Sequence, residues 1–145
     1  MRLALEEAGL AFSEGEVPVG AVLVDIDGDL LWKDHNKRER HQDPTAHAEV
    51  AVLRKGAEMR DNWRLSGATL YVTKEPCIMC AGTMINARIS RLVYGCNDAK
   101  GGAVESLYTL LTDKRLNHRV DVVSGVLEEE CAAILRKFFG NRRRS

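Results

Sequence analysis

Two short segments hold the residues that can bind a metal, and each stands where a helix is predicted to begin. They are TAHAE at residues 45–49 and EPCIMC at residues 75–80. The imidazole of His47 and the thiolates of Cys77 and Cys80 are typical zinc ligands, and three protein ligands leave a fourth position for water, as in catalytic zinc sites. The fold must therefore bring two helix starts together around one zinc ion per subunit.

The spacing inside each segment predicts where these side chains point. Cys77 and Cys80 are three residues apart and share one face of a helix. His47 and Glu49 are two apart and would point about 200° apart within a regular helix, so both must lie in the first turn, where side chains lean toward the N-terminus. Glu49 is then placed to accept a proton from water and pass it to a substrate.

Predicted strands and helices alternate along the rest of the chain. Asp27 and Gly28 give the turn signal that joins the first two strands as an antiparallel hairpin. We predict strands at 19–25, 30–33, 68–73, 91–95 and 120–124. We predict helices at 2–13, 46–59, 77–87, 106–111 and 127–139, the last ending at Gly140. This order predicts an α/β fold, a three-layer α/β/α sandwich with a five-stranded mixed sheet.

Length, charge and composition limit the class of protein further. The length fits a single domain, residues 1–145. Lys plus Arg and Asp plus Glu are equal at 21 each, so a nucleic-acid partner would have to meet a local basic patch. No apolar run approaches the roughly 18 residues of a membrane span. Cys96 and Cys131 are predicted to be buried, reduced thiols of a cytoplasmic protein, and Trp32 and Trp63 are predicted to fill the core.

Either metal segment alone is weak evidence, because Cys-x-x-Cys is often structural and His-x-Glu is common by chance. Together, in this order and with Pro76 before the first cysteine, they match the signature of zinc nucleobase deaminases. Beyond that signature, the sequence resembles the bacterial tRNA-specific adenosine deaminases over nearly the whole chain. The similar stretches are 16–21, Asn36, 43–49, 70–73, 75–82, 98–100, 116–120 and the Phe138-Phe139 pair.

The resemblance implies a cytidine deaminase-like fold and a definite reaction. The wobble adenosine of a tRNA anticodon stem-loop would be hydrolysed to inosine with release of ammonia. In the family's chemistry, zinc-bound hydroxide is the nucleophile and Glu49 the proton shuttle. The family is known as homodimeric, so a homodimer is expected as well.

The resemblance also implies residues that bind the RNA around the reacting base. The backbone N–H of Ala48 would help to place the base, Asn36 would hydrogen-bond it, and Val19 would pack against it. Asp98 and Lys100 would hold flanking nucleotides or their sugars. Taken alone, Asn36 is more typical of a loop residue that bonds its own backbone, and Asp98 with Lys100 of a solvated turn.

A basic run near the C-terminus offers the local basic patch that RNA binding requires in a chain with no net charge. Arg142 and Arg143 closely follow Phe139. Arginines there also suit the negative end of a helix dipole. Against an RNA loop, however, arginines meet phosphates while an aromatic ring stacks on an extruded base. By resemblance, all three residues are predicted to bind RNA.

Two other functions stay open at the level of sequence. A deaminase of a free nucleobase or nucleoside, such as cytosine, cytidine or guanine, needs the same metal and the same glutamate with a different pocket. A zinc-stabilised, non-catalytic RNA-binding subunit would have no need of Glu49. Lys74 also departs from the family, in which this position beside the metal segment is more often apolar, and a change in substrate preference would follow if it touches a nucleotide.

Overall fold

A computed structural model describes residues 1–144, and these contain one mixed sheet of five strands. The strands are β1 (Gly20–Val24), β2 (Leu30–His35), β3 (Thr69–Lys74), β4 (Arg91–Cys96) and β5 (Asp121–Val123). Their order across the sheet is β2-β1-β3-β4-β5. β1 is antiparallel to both β2 and β3, whereas β3, β4 and β5 run parallel. The predicted hairpin and the five-stranded mixed sheet are confirmed.

Helices cover both faces of this sheet. They are α1 (Arg2–Ser13), α2 (Arg38–His41), α3 (Ala48–Arg60), α4 (Ile78–Ala87) and α5 (Glu128–Arg144). α1 contacts α5 on one side, and α3 contacts α4 on the other. Gly20 and Leu23 stand three residues apart on β1 and so face opposite sides; Gly20 meets α1 and Leu23 meets α3. The predicted three-layer α/β/α sandwich is confirmed.

Three local predictions were wrong. A polar loop was expected at residues 34–45, but this segment contains α2. The buried carboxylate of Glu16 accepts the backbone N–H groups of Glu39 and Arg40 at the start of that helix. The brief helix expected at 106–111 is a single 3₁₀ turn at Leu110–Thr112. α5 does not end at Gly140 but continues past it, so Phe139 and the arginines after it share one helix.

Two tryptophans predicted to fill the core lie at the surface instead. Trp32 stands on the edge strand β2 and is 38% exposed, and the Lys55 ammonium lies 5.0 Å from its ring centre. Trp63 follows α3 and is 58% exposed, with the Arg64 guanidinium 5.0 Å from its ring centre. Each exposed ring is thus covered in part by a cation, a favourable contact for an indole.

Small residues let α5 pack closely on the sheet. Cys131 of α5 lies against Gly95 of β4, where a Cβ atom on the glycine would come within 2.4 Å of the sulfur. Cys96 and Cys131 are both buried, as predicted. Within residues 1–144, no helix has the length and apolar character needed to cross a membrane.

One edge of the sheet gathers the segments that build the site. Because β1 is antiparallel to β2 and β3, its first residue lies beside the last residues of those strands, and β4 ends at the same edge. The backbone N–H of Lys37, just after β2, donates to the carbonyl of Ala46, just before α3. α4 follows β3 after a short turn. Both metal segments therefore meet at this edge.

Replacing Gly20 with Ala is expected to lower the free energy of unfolding by about 1–3 kcal/mol or more, as overpacking does. A Cβ atom at this position would lie 1.9 Å from the carbonyl oxygen of Ala4 and 2.5 Å from the backbone nitrogen of Ala8. Backbone atoms of α1 cannot move aside as a flexible side chain can. Urea unfolding followed by circular dichroism measures the change.

Gly140→Ala is the matched control for that substitution. Gly140 lies inside α5, and nothing within 4 Å would meet its new Cβ. Alanine is the better helix former by roughly 1 kcal/mol, so this variant should be slightly more stable than the parent. An unchanged unfolding midpoint for Gly20→Ala would contradict the close packing of α1 on β1.

Candidate active site

His47, Cys77 and Cys80 converge at the starts of two helices. His47 is the N-cap of α3, Cys77 is the N-cap of α4, and Cys80 lies in the first turn of α4. His47 Nδ1 is 3.6 Å from Cys77 Sγ and 3.5 Å from Cys80 Sγ. A tetrahedral zinc ion with ordinary Zn–N and Zn–S bonds would hold nitrogen and sulfur about 3.6 Å apart. The three donor atoms therefore fit zinc in both type and spacing.

The conformation of His47 explains how His47 and Glu49 can serve one site. His47 has extended backbone angles, φ −82° and ψ 151°, and Glu49 lies in the first turn of α3. The 200° separation of residues two apart holds only inside a regular helix. With His47 outside the helix, its ring can turn toward the cysteines while the Glu49 carboxyl group lies near both thiols.

The three donor groups are electrostatically coupled. A hydrogen bond from the Cys80 thiol, followed by one from His47, lowers the pKa of Cys77 to about 3. The same contact with Cys77, together with burial, raises the pKa of the Cys80 thiol. The contact with Cys77 also raises the pKa of His47. The surroundings thus stabilise negative charge on the sulfur of Cys77, the form in which a thiol binds a metal.

Glu49 is the buried carboxyl group of this site. It is only 4% exposed, and burial raises its pKa above the usual value for glutamate. A carboxylate with a raised pKa holds a proton more readily near neutral pH, which suits a group that must take up and release protons during a reaction. The arrangement can therefore support hydrolysis with general acid–base catalysis.

A pocket opens beside this centre and exposes His47, Glu49 and Cys77 to a ligand. Several of the residues predicted to bind RNA also line it. They are Val19, Asn36, Ala48, Asp98 and Phe139. The T-shaped contact between the rings of Phe138 and Phe139 joins this wall to the core, because Phe138 is buried and packs against Phe12 of α1.

The other residues predicted to bind RNA stand outside the pocket lining. Lys100 is exposed, and its backbone N–H donates to the Asp98 carboxylate at 3.1 Å. The guanidinium of Arg142 lies 5.3 Å from the ring centre of Phe138. Arg143 is exposed on the last turns of α5. Contacts between these three residues and RNA remain predictions.

Asn36 lines the pocket and also bonds the backbone around it. Its Oδ1 accepts the backbone N–H of Arg38 at 3.2 Å, and its Nδ2 donates to the carbonyl of Val17 at 3.2 Å. A backbone donor on one side and a backbone acceptor on the other fix which end of the amide is oxygen. The amide has a second N–H that can bind a base. Asn36 can therefore bond the backbone of its own loop and hydrogen-bond the substrate at the same time.

Glu75 organises the loop that carries Asp98. Its buried carboxylate accepts hydrogen bonds from the backbone N–H groups of Asp98, Val104, Glu105 and Ser106 and from the Ser106 hydroxyl. Burial acts to raise its pKa, but the hydrogen bonds from Glu105 and Ser106 outweigh burial and lower the pKa to about 2. The loop therefore folds around a buried negative charge.

Sequence reasoning gave no role to the two glutamates that shape the pocket, Glu16 and Glu75. Their neighbours in the sequence do not mark them as buried: Glu16 stands between Gly15 and Val17, and Glu75 between Lys74 and Pro76. Lys74 was noticed only as a departure from a family, and Arg38 had no signal at all. Both Arg38 and Lys74 line the pocket.

A second group of possible metal ligands within residues 1–144 is Glu7, Asp34 and His35. Here the ring nitrogens of His35 already have partners: Nδ1 is 3.0 Å from Glu7, and Nε2 is 3.0 Å from Glu14. Lys37 pairs with Asp34 at 2.8 Å. These contacts join α1 to the end of β2, and we interpret the group as structural.

Comparison with known proteins identifies the family to which this chain belongs. The MafB19-like deaminase family matches residues 1–143. The chain is therefore a deaminase, and His47, Cys77 and Cys80 form its candidate metal site. A tRNA-specific adenosine deaminase from Bacillus subtilis strain 168 is 49% identical over 144 residues, which are 99% of this chain and 89% of that protein. One from Haemophilus influenzae is 50% identical, over 99% of this chain and 83% of that protein.

A solved structure agrees with these relatives. It comes from studies of A-to-I editing by tRNA:A34 deaminases at the wobble position of transfer RNA. The two structures superpose with a TM-score of 0.89 at 50% identity, over 93% of this chain and 97% of the other. The chain belongs to the family of tRNA-specific adenosine deaminases.

Proposed function

We propose that this chain hydrolyses the wobble adenosine of a tRNA anticodon loop to inosine and releases ammonia. The observation that carries the proposal is the buried Glu49 beside the zinc-type donors His47, Cys77 and Cys80, at a pocket open to a base. Family membership favours adenosine in tRNA over a free nucleobase or nucleoside. The presence of Glu49 argues against a subunit without catalysis.

The reaction needs a nucleophile, a proton acceptor and a proton donor. Held by His47, Cys77 and Cys80, zinc would supply the Lewis acidity that makes water nucleophilic near neutral pH. The water oxygen bonds to the amino-bearing carbon of adenine. Glu49 takes a proton from this water and gives it to the adjacent ring nitrogen, then relays the proton of the added hydroxyl to the departing amine.

The remaining residues hold the base and its neighbours. Asn36 offers its second amide N–H to the base, Val19 packs on the ring, and the N–H of Ala48 at the start of α3 points toward bound oxygen or nitrogen. Asp98 holds the sugar of a neighbouring nucleotide, and Phe139 stacks on an extruded base. Lys100, Arg142 and Arg143 contact the RNA outside the pocket.

We also propose how the chain is assembled and where in the cell it acts. Residues 1–145 act as one deaminase unit with one zinc ion, paired as a homodimer in the cytoplasm. Family resemblance supports the dimer, and the tRNA substrate supports the cytoplasm.

An inosine assay tests the proposal. Zinc-loaded protein is offered an anticodon stem-loop with adenosine at the wobble position and, separately, free adenosine, cytidine and guanine. We expect inosine in the stem-loop alone. A stem-loop with its adenosine moved one position along the loop serves as the control and should remain unmodified. Turnover of a free base or nucleoside would instead assign the chain to metabolite deamination, and RNA binding without turnover would assign it to a non-catalytic subunit.

A further inference from the structure

Two basic side chains that the reaction does not use line the same pocket as Glu49. They are Arg38 and Lys74. Arg38 begins α2 just after β2, and Lys74 is the last residue of β3. β1 runs between β2 and β3, and neighbouring strands lie about 4.8 Å apart. β2 and β3 therefore end roughly 10 Å apart, and the segments that carry Arg38 and Lys74 lie on either side of the one that carries Val19.

Lys74 is held in place by an ion pair that leaves some of its hydrogen-bond donors available. Its ammonium lies 3.2 Å from Asp98 Oδ2, and the two side chains are 28% and 20% exposed. An ammonium group has three N–H donors and no acceptor, so the contact with Asp98 accounts for one of them. The pair keeps Lys74 at the pocket wall and places its other donors next to the residue proposed to hold a neighbouring nucleotide.

Arg38 is anchored through its backbone, and its side chain reaches solvent. The backbone N–H bonds Asn36, and the next two N–H groups of α2 bond the buried Glu16. The guanidinium is half exposed, and its contact with the Glu39 carboxylate is long, 3.5 Å. A phosphate offers a guanidinium two parallel hydrogen bonds of better geometry.

We propose that Arg38 and Lys74 bind the phosphates on the two sides of the reacting adenosine, and that they thereby select a polynucleotide over a free nucleoside. This inference rests on the proposed function. A chain with no net charge must bind polyanionic RNA through local cations, and these two stand at the pocket itself. A free nucleoside has no phosphate and gains nothing from either residue.

The test compares Arg38→Gln, Lys74→Gln and the double variant in binding to the anticodon stem-loop over a series of salt concentrations. Loss of one phosphate contact on a single strand flattens the plot of log affinity against log salt by about 0.7. Each single variant should show this change and a roughly fivefold weaker affinity at low salt, as expected for one half-exposed ionic hydrogen bond. The double variant should lose about 1.4 in slope.

Arg60→Gln is the matched control. Arg60 pairs with Asp25 at 3.3 Å, with side-chain exposures of 26% and 22% that are close to those of the Lys74 pair. It lies at the far end of α3, about 18 Å along the helix axis from its first residue. Its variant should keep the parent slope. Arg38→Lys and Lys74→Arg, which keep the charge, should restore most of the slope lost in the glutamine variants.

Binding and turnover separate the two proposals. Inosine formation by the parent protein tests the proposed function, whereas the salt slope tests the phosphate contacts whether or not inosine forms. In turnover assays, the glutamine variants should raise KM for the stem-loop with little change in kcat. A parent-like slope and affinity in both single variants would overturn the inference, as would an equal loss in Arg60→Gln.

Discussion

Glu49→Gln is expected to lower kcat for inosine formation by roughly 10²–10⁴-fold, the usual range for loss of a general acid–base group. Glutamine has nearly the same shape but cannot accept a proton from water. Because the proposed metal donors are His47, Cys77 and Cys80, zinc content should not change. Single-turnover inosine formation in the stem-loop, with metal analysis of the same sample, measures both quantities.

The control for this prediction lies on the same helix. Glu58, nine residues further along α3, has an exposed side chain that pairs with Lys55, so Glu58→Gln removes the same charge without touching the pocket and should keep parent turnover. Stem-loop affinity of Glu49→Gln should also match the parent. Turnover that survives in Glu49→Gln with normal zinc would show that another group moves the protons.

The grouping of His47, Cys77 and Cys80 could be predicted from sequence because the information for it is local. Two cysteines three residues apart share a helix face, and a proline before the first of them marks a helix start. Sequence reasoning placed both metal segments at helix starts, but it could not see that His47 adopts an extended N-cap conformation. That single backbone state is what allows His47 and Glu49 to serve one centre.

The walls of the pocket could not be predicted in the same way, because long-range contacts build them. Glu16 forms α2 by accepting N–H groups more than twenty residues away, and Glu75 gathers donors from residues 98–106. No local pattern encodes such pairs. Gly140 misled the prediction because a glycine inside a helix costs only about 1 kcal/mol, which is too little to end α5 by itself.

The second large effect is expected for Glu75→Gln, which should lower the free energy of unfolding at pH 7 by about 2–4 kcal/mol. Oε2 accepts three backbone N–H groups, and Oε1 accepts one N–H and one hydroxyl. Whichever oxygen an amide nitrogen replaces, it faces donors instead of accepting from them. Buried donors left without a partner cost about 1–3 kcal/mol each, partly recovered by local movement. Urea unfolding at pH 7 measures the loss.

The pH dependence gives the same prediction an independent check. The pKa of Glu75 is about 2 in the folded protein and 4.5 in its ordinary state. A lowered pKa means that the carboxylate stabilises the fold fully above pH 4.5 and progressively less as the pH falls toward 2. Glutamine does not titrate, so the difference in stability between parent and Glu75→Gln should shrink over this window.

Asp113→Asn is the control that compares the buried carboxylate of Glu75 with a surface carboxylate that pairs only with a neighbour in sequence. The pKa of Asp113 is also lowered to about 2, first by the side chain and then by the backbone N–H of Arg115. Both partners lie two residues away on the surface, so this carboxylate organises no distant segment. Asp113→Asn should therefore destabilise the protein much less than Glu75→Gln and leave stem-loop affinity unchanged. Equal losses in the two variants would show that Glu75 does not order the loop that carries Asp98.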